Sequence, residues 1–435
     1  MRAEKSFGCL AAATVALVAV AACTPIVRRE AGPEGSGGSG TGGSEASGGV
    51  TGTGGATGFG GVTGEGGMTD TGGTTESGGT SGPGGESGAG GTTSSGGMLG
   101  SGGATGSGGT TGGGLGGTTS TVCGVSTSYG WASTQALMDP VSDGSHSLVG
   151  IKAPTIVLYN SRYHVFATVV NTAGSLTMQY ASFADWSTMG SATVDFLDNN
   201  AGFAGGRSQP QVFNLKAKNT WYLITQSGAP AYSTNADITD TAAWTKPTNF
   251  FASTPAIVTQ NAGTDGIGWT DFWVICDNTN CHMFFTNQKG YLFRSQTAIG
   301  SFPSGFSTPV IVMQSSYLVE GARVYKVNSS YLMLVEGTGS GGRYIGAWTA
   351  TALDGKWTPA AETEANPFAG AINATFSGTK WTRDIGHGEL IRSSYDETMT
   401  IDNCNMRYLF AGKDPFATAK AEPYPWKLGL LVRSQ

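Results

Sequence analysis

Charge is scarce in this chain. Lys, Arg, Asp and Glu together make up 12 % of its 435 residues, and the net charge is a modest −6. No basic stripe or acidic tail stands out, so nothing in the composition points to a nucleic-acid partner. Histidine is rarer still, with 4 residues in all, and no zinc-ligand spacing is present. A glycine-rich phosphate loop and a nucleophilic serine elbow are also missing. Long amphipathic helical periods are absent, which excludes a helical bundle.

Glycine, by contrast, is abundant at 71 residues, most of them between Ala31 and Ser120. That stretch is Gly, Ser and Thr with almost no aromatics, and it cannot bury enough apolar surface to offset its ordering entropy. Residues 23–121 are therefore expected to be a disordered tether. At roughly 90 residues its root-mean-square span would be about 50 Å.

Ahead of it lies an export signature. Arg2 and Lys5 precede an apolar Cys9–Ala22 run that is too short for a comfortable membrane span. Val20-Ala21-Ala22-Cys23 resembles a bacterial lipobox, so residues 1–22 read as a lipoprotein-type signal peptide and Cys23 as the lipidated residue. The chain is then expected to be secreted and to touch a membrane only through that anchor. Cys123, Cys276, Cys281 and Cys404 remain, an even number that suits two disulfides in an oxidising compartment. Cys276 and Cys281 flank a short turn and are natural partners, which leaves Cys123 with Cys404.

From residue 122 to 435 the texture changes to short aromatic and β-branched runs separated by turn signals, an all-β pattern. One strand recurs in five versions: Tyr163–Ala167, Trp221–Thr225, His282–Thr286, Tyr331–Val335 and Tyr408–Gly412. Each is followed by a second apolar run. A recurrence of roughly 50 to 75 residues fits blades of about four strands, which predicts a five-bladed β-propeller. The fifth unit runs out of chain after Leu428, so its outer strand is expected from the segment near Cys123.

Each recurring strand is preceded by one that carries an unusual polar residue: Ile151–Val157, Arg207–Phe213, Trp269–Ile275, Tyr317–Arg323 and Asp384–Leu390. First strands of propeller blades line the central channel. Gln209, Asp271, Glu320 and His387 should then share one mouth, at matching offsets, with Lys152 and Arg207 beside them. Two carboxylates flanking a pocket are the minimum for glycoside hydrolysis. Glu320, in an apolar run, is expected to have a raised pKa that suits an acid. Asp271, hemmed by Trp269, Phe272 and Trp273, could tune it. Glu389 reads as structural.

Several stretches carry a resemblance: Asp271–Asp277, Glu364–Ala371, Thr375–Thr379, His387–Arg392 and Pro425–Leu431. Together they resemble the α-L-arabinofuranosidases of glycoside hydrolase family 62, over nearly the whole span from Cys123 to Leu431. The resemblance implies a five-bladed propeller that removes arabinofuranosyl side groups from arabinoxylan with inversion. It implies Glu320 as general acid, Asp271 as its pKa modulator, Lys152 as an arabinose contact and His387 near the axis; Arg207, Gln209, Trp273 and His387, gathered at the same mouth, are expected to contact the sugar as well. It further implies that no cofactor is needed for chemistry, with a structural calcium possible at His387 on the axis, and that the chain works as a monomer on arabinoxylan or arabinosylated xylo-oligosaccharide. The family's general base is an aspartate between a lysine and a proline; here Ala153 stands between Lys152 and Pro154. A methyl group cannot take a proton from water, and general-base catalysis is worth roughly 10²–10⁴-fold. Asp143 is a poor substitute. A second departure puts Ala421 and Glu422 where the family has a Tyr-Asn pair. A silent propeller that binds arabinosylated polysaccharide is the alternative to an enzyme.

Overall fold

A computed structural model describes residues 123–262, 268–316, 320–416 and 423–434. The signal peptide, the tether with Cys23, and Ala421 and Glu422 lie outside the described residues. Among the described residues the strands fall into five antiparallel-built sheets, each a unit contiguous in sequence except the last.

Blade one consists of Leu148–Tyr159, Arg162–Asn171, Leu176–Phe183 and Val194–Phe196. Asn160 and Ser161, with φ of 48° and 60°, make its first hairpin a two-residue turn whose twist matches the strands. Blade two holds Ser208–Leu215, Thr220–Ser227, Ala229–Asn235 and Thr248–Asn249; blade three holds Thr270–Cys276, Asn280–Thr286, Tyr291–Ala298 and Val310–Gln314. Blade four runs from Glu320–Val327 through Ser330–Gly339, Gly342–Ala350 and Thr358–Thr363 to Asn366–Pro367.

Blade five is closed by distant chain. Gly386–Leu390, Arg407–Lys413 and Trp426–Arg433 are joined by Trp131–Ser133 from the domain's start and then by Ala374–Phe376. Trp131 pairs antiparallel with Arg433 and parallel with Ala374. The expected N-terminal closing strand is therefore present, with one further strand outside it. Both expected disulfides form: Cys123–Cys404 pins this closure across 281 positions, and Cys276–Cys281 spans the turn of blade three. Bridging so long a loop restricts the unfolded chain strongly.

The innermost strands are buried on both faces. Thr270–Cys276 is buried at every residue, which is why it reads as a continuous apolar run rather than an alternation. Their middles are linked by a closed ring of hydrogen bonds from blade to blade. Thr155 Oγ1 accepts the Val212 amide at 3.2 Å, and Gln211 exchanges two bonds with the Val274 backbone at 2.6 and 2.7 Å. Trp273 Nε1 donates to the Val324 carbonyl at 2.8 Å, and Tyr325 Oη accepts the Leu390 amide at 3.0 Å. Glu389 Oε2 accepts the Ile156 amide at 3.2 Å and so returns to blade one. Buried backbone groups that neighbouring sheets leave open are thereby satisfied. Glu389 is structural, as expected, and its other oxygen lies 2.6 Å from Arg392 Nε.

Beyond this ring the channel is crossed by a loop. The amides of Asn214, Cys276 and Lys326 donate to the carbonyls of Tyr395, Glu397 and Met399. The channel is thus covered at the C-terminal ends of three inner strands, opposite the end where the polar residues gather.

Candidate active site

At that other end every inner strand carries a β-bulge, a one-residue irregularity against its neighbour. The shifts fall between Lys152 and Thr155, Ser208 and Gln211, Thr270 and Trp273, Glu320 and Arg323, and Gly386 and Gly388. Ala153, Gln209, Asp271 and Gly321 sit inside the first four with φ of 49°, 56°, 62° and 80°. A bulge re-aims side chains locally, and here it does so once per blade. This corrects one expectation. Asp271 is the counterpart of Ala153, Gln209 and Gly321, whereas Glu320 occupies the preceding position with Lys152, Ser208 and Thr270. The two strands carry the same bulge, and their carboxylates occupy adjacent positions of it.

They nevertheless converge. Asp271, Glu320 and His387 each offer a ligand-type atom, and these lie within 4.8 Å of one another. The Gly321 amide donates to Asp271 Oδ2 at 3.2 Å, and His387 Nε2 is 3.8 Å from Asp271 Oδ1. A β-carbon on Gly321 would come within 2.3 Å of His387 Nε2, so only glycine admits the imidazole beside the acid.

Three residues outside the sequence-derived set complete the group. Arg343 Nη1 donates to Glu320 Oε1 at 2.7 Å and also contacts Glu336 Oε1. Gln288 Nε2 donates to Glu320 Oε2 at 2.8 Å. Glu336 Oε2 accepts the His387 amide at 2.5 Å. These come from second strands and hairpin ends, not from the channel-lining strands. The signal available in the sequence was the rarity of charge itself: Glu336 closes the apolar Tyr331–Val335 run, and Arg343 follows a Gly-Gly turn.

The charges are strongly biased. Burial pushes Asp271 well up, and the neighbouring Glu320 charge pushes it further. Burial alone would raise Glu320, but the Arg343 guanidinium brings it down to about 2. The expected raised Glu320 is therefore reversed in the free site, because the guanidinium stands directly on the carboxylate. Burial raises Glu336 to about 7 despite Arg343, and burial with the Arg323 charge holds His387 down to about 3. The imidazole is neutral.

The other expected contacts are placed as follows. Ala153 is 0 % exposed. Lys152 lies close enough to act on the charges of Glu320 and His387. The Gln209 amide donates to Thr168 Oγ1, and Thr168 pairs across the ladder with Lys152. Arg207 is half-buried, and its Nε finds no hydrogen-bond partner among the described residues. Trp273 is a correction. It is 0 % exposed, its indole belongs to the interblade ring, and the Arg323 guanidinium covers its face at 4.7 Å, so no surface remains for a sugar. Asp143 holds the exposed loop at His146 through hydrogen bonds of 2.7 and 2.8 Å.

The calcium expected at His387 meets a thin donor set. Calcium takes six to eight oxygen ligands, whereas this cluster offers two carboxylates and a nitrogen, with one carboxylate already held by Arg343 and Gln288.

A five-bladed propeller with buried carboxylates converging at one mouth is a glycosidase architecture. The glycosyl hydrolase family 62 model matches residues 130–432, and the chain belongs to that family. It is 42 % identical over 323 residues to alpha-L-arabinofuranosidase C of Cellvibrio japonicus (strain Ueda107), a match that covers 72 % of this chain. The chain spans about half that relative's length, 48 %. Among solved structures, the catalytic domain of a Coprinopsis cinerea α-L-arabinofuranosidase is 44 % identical with a TM-score of 0.69, covering 71 % of this chain and 98 % of that one. The Podospora anserina α-L-arabinofuranosidase bound to cellotriose is 41 % identical at TM-score 0.69, with 72 % and 98 % covered. A family 62 hydrolase bound to xylotriose is 40 % identical at 0.67, with 71 % and 98 % covered.

Proposed function

We propose that this domain removes terminal α-L-arabinofuranosyl groups from arabinoxylan by an inverting route, at a rate limited by Ala153. The convergence of Asp271, Glu320 and His387 at the mouth of a family 62 propeller carries this reading. Glu320 would protonate the leaving xylan oxygen, having first gained the proton that the Arg343 guanidinium withholds in the free site. Asp271, held beside Glu320, would raise that acid's pKa whenever it carries charge itself, since two adjoining carboxylates resist ionising together. Lys152, Arg207, Gln209 and His387 would hold the arabinose, and the xylotriose found with a relative supports a xylan main chain. In the inverting scheme a base activates water on the face opposite the acid. Position 153 would supply it, and alanine cannot.

A second reading follows from the same residue. With no base, the site would bind arabinosylated xylan without cleaving it, as a surface lectin. Either activity suits a protein exported through the signal at 1–22, lipidated at Cys23 and held off the membrane by its tether. The two disulfides suit that oxidising compartment.

Wheat arabinoxylan, incubated with the full chain alone and with azide or formate, separates the readings by the arabinose released. Release without additive, abolished by Glu320→Gln, supports a hydrolase with another route to water activation. Release only with the small anion supports a hydrolase lacking its base. Binding with no release under any condition sinks the enzymatic reading.

A further inference from the structure

We propose that Glu336 is a positioning residue for the acid, acting through Arg343; the role rests on the reading of Glu320 as proton donor. Glu336 stands directly opposite Glu320 in the ladder between the first two strands of blade four. It is almost fully enclosed, with its side chain 1 % exposed, against 14 % for Glu320 and 15 % for Arg343. Each of its oxygens has a partner. One meets Arg343 Nη1, and the other takes the amide of His387 from blade five at 2.5 Å. Arg343 is tethered in turn: its amide donates to Asp384 Oδ1 at 3.0 Å, and its guanidinium lies 5.4 Å over the Trp426 ring.

A single guanidinium nitrogen thus bridges the acid and a carboxylate that cannot turn away. Glu320 itself sits at the very start of its strand, and its second oxygen accepts from Gln288. Holding a glutamate side chain in one place requires an anchored partner, and a cation between two carboxylates provides one. Misplacing a reacting group by about 1 Å can cost on the order of a hundredfold in rate. Glu336 would touch neither the sugar nor the reacting oxygen. It would set where Glu320 waits.

The test uses the full chain, both native and carrying Ala153→Asp to restore a base, with Glu336→Gln introduced into each. Glutamine keeps an acceptor for the His387 amide but cannot form the ionic half of the bridge. In arginine-labelled protein, Arg343 side-chain nitrogen signals, assigned by their loss in Arg343→Lys, should be resolved and slowly rotating in the parent and averaged in Glu336→Gln. In the Ala153→Asp background, kcat on arabinoxylan should fall about tenfold to a hundredfold with KM within about twofold. On an aryl arabinofuranoside whose leaving group needs little protonation, the loss should stay under about threefold. Should Glu336→Gln fail to fold, Arg343→Lys carries the same kinetic expectation. Unchanged Arg343 signals, or equal losses on both substrates, would overturn the proposal. An inactive Ala153→Asp chain would sink the hydrolytic reading instead, and the guanidinium signals would still decide whether Glu336 holds Arg343.

Discussion

The bulges of blades one and three have the same backbone and opposite endowments. Ala153 and Asp271 occupy equivalent register positions, both with left-handed φ (49° and 62°) and both 0 % exposed. One ends in a methyl group, the other in a carboxyl. Left-handed backbone suits Gly, Asn and Asp, and for other residues it costs roughly 1–2 kcal/mol. Blade one therefore keeps a conformation that alanine disfavours. The reason is in the next residues: the bulge turns the strand so that Thr155 reaches Val212, just as blade three delivers Trp273 to Val324. The interblade ring dictates the backbone, and the side chain at the bulge is left to chemistry.

The sharpest way to break this comparison is to give blade one the group that blade three has. Ala153→Asp should raise arabinose release from arabinoxylan by about 10²–10⁴-fold, measured as initial rates on the full chain. Adding Glu320→Gln to that variant should remove the gain. A restored aspartate that changes nothing would mean position 153 does not face the attacking water, and the likeness of the two bulges would be one of backbone alone.

A second contrast is between the mouth and the closed end of the same strands. At the closed end Arg392 Nη2 donates to the carbonyls of Ile156 and Val212, at 3.1 and 2.7 Å, and its Nε meets Glu389 at 2.6 Å. All of this is fully enclosed. Arg392→Ala leaves Glu389 as an uncompensated buried charge, so unfolding free energy in urea should drop by about 3–5 kcal/mol. Glu320→Gln, at the partly open mouth, should move stability by far less while removing activity. Equal stability losses at both ends would show that the mouth is structural too.

What the sequence revealed follows from the same division. The five recurring strands, the closing strand from the domain's start and both disulfides depend on periodicity and cysteine count, and these are legible in one dimension. Asp271, Glu320 and His387 were legible because polar residues are rare inside apolar inner strands. Their one-step offset was not, since only the ladder pairing aligns Glu320 with Thr270 and Gly321 with Asp271. Arg343, Glu336 and Gln288 were hidden for a different reason. They reach the site from second strands and hairpin tips, and only the ladder register, such as Glu320 opposite Glu336, brings them in. Trp273 misled because an aromatic beside a buried carboxyl looks the same whether it faces a sugar or the next blade. Glu320's charge state misled for want of Arg343, 23 positions away in the chain.

The smallest effect tests the backbone claim by itself. Ala153→Gly removes the β-carbon that left-handed geometry penalises and adds no carboxylate. If the interblade ring imposes φ near 49° on residue 153, the gain should be about 1 kcal/mol, part of it offset by the freer unfolded chain. In a domain of this size that is a melting shift of about 2 °C, read by calorimetry, with arabinose release unchanged. The matching change at blade three, Asp271→Gly, should behave differently, because it also strips the acceptor from the Gly321 amide at 3.2 Å. A rise at 153 with a fall at 271 would separate the two things a bulge residue does here: bearing the strand's turn and presenting a functional group. A fall at 153 would mean that alanine sits there without strain, and the shared backbone of the two blades would lose its energetic meaning.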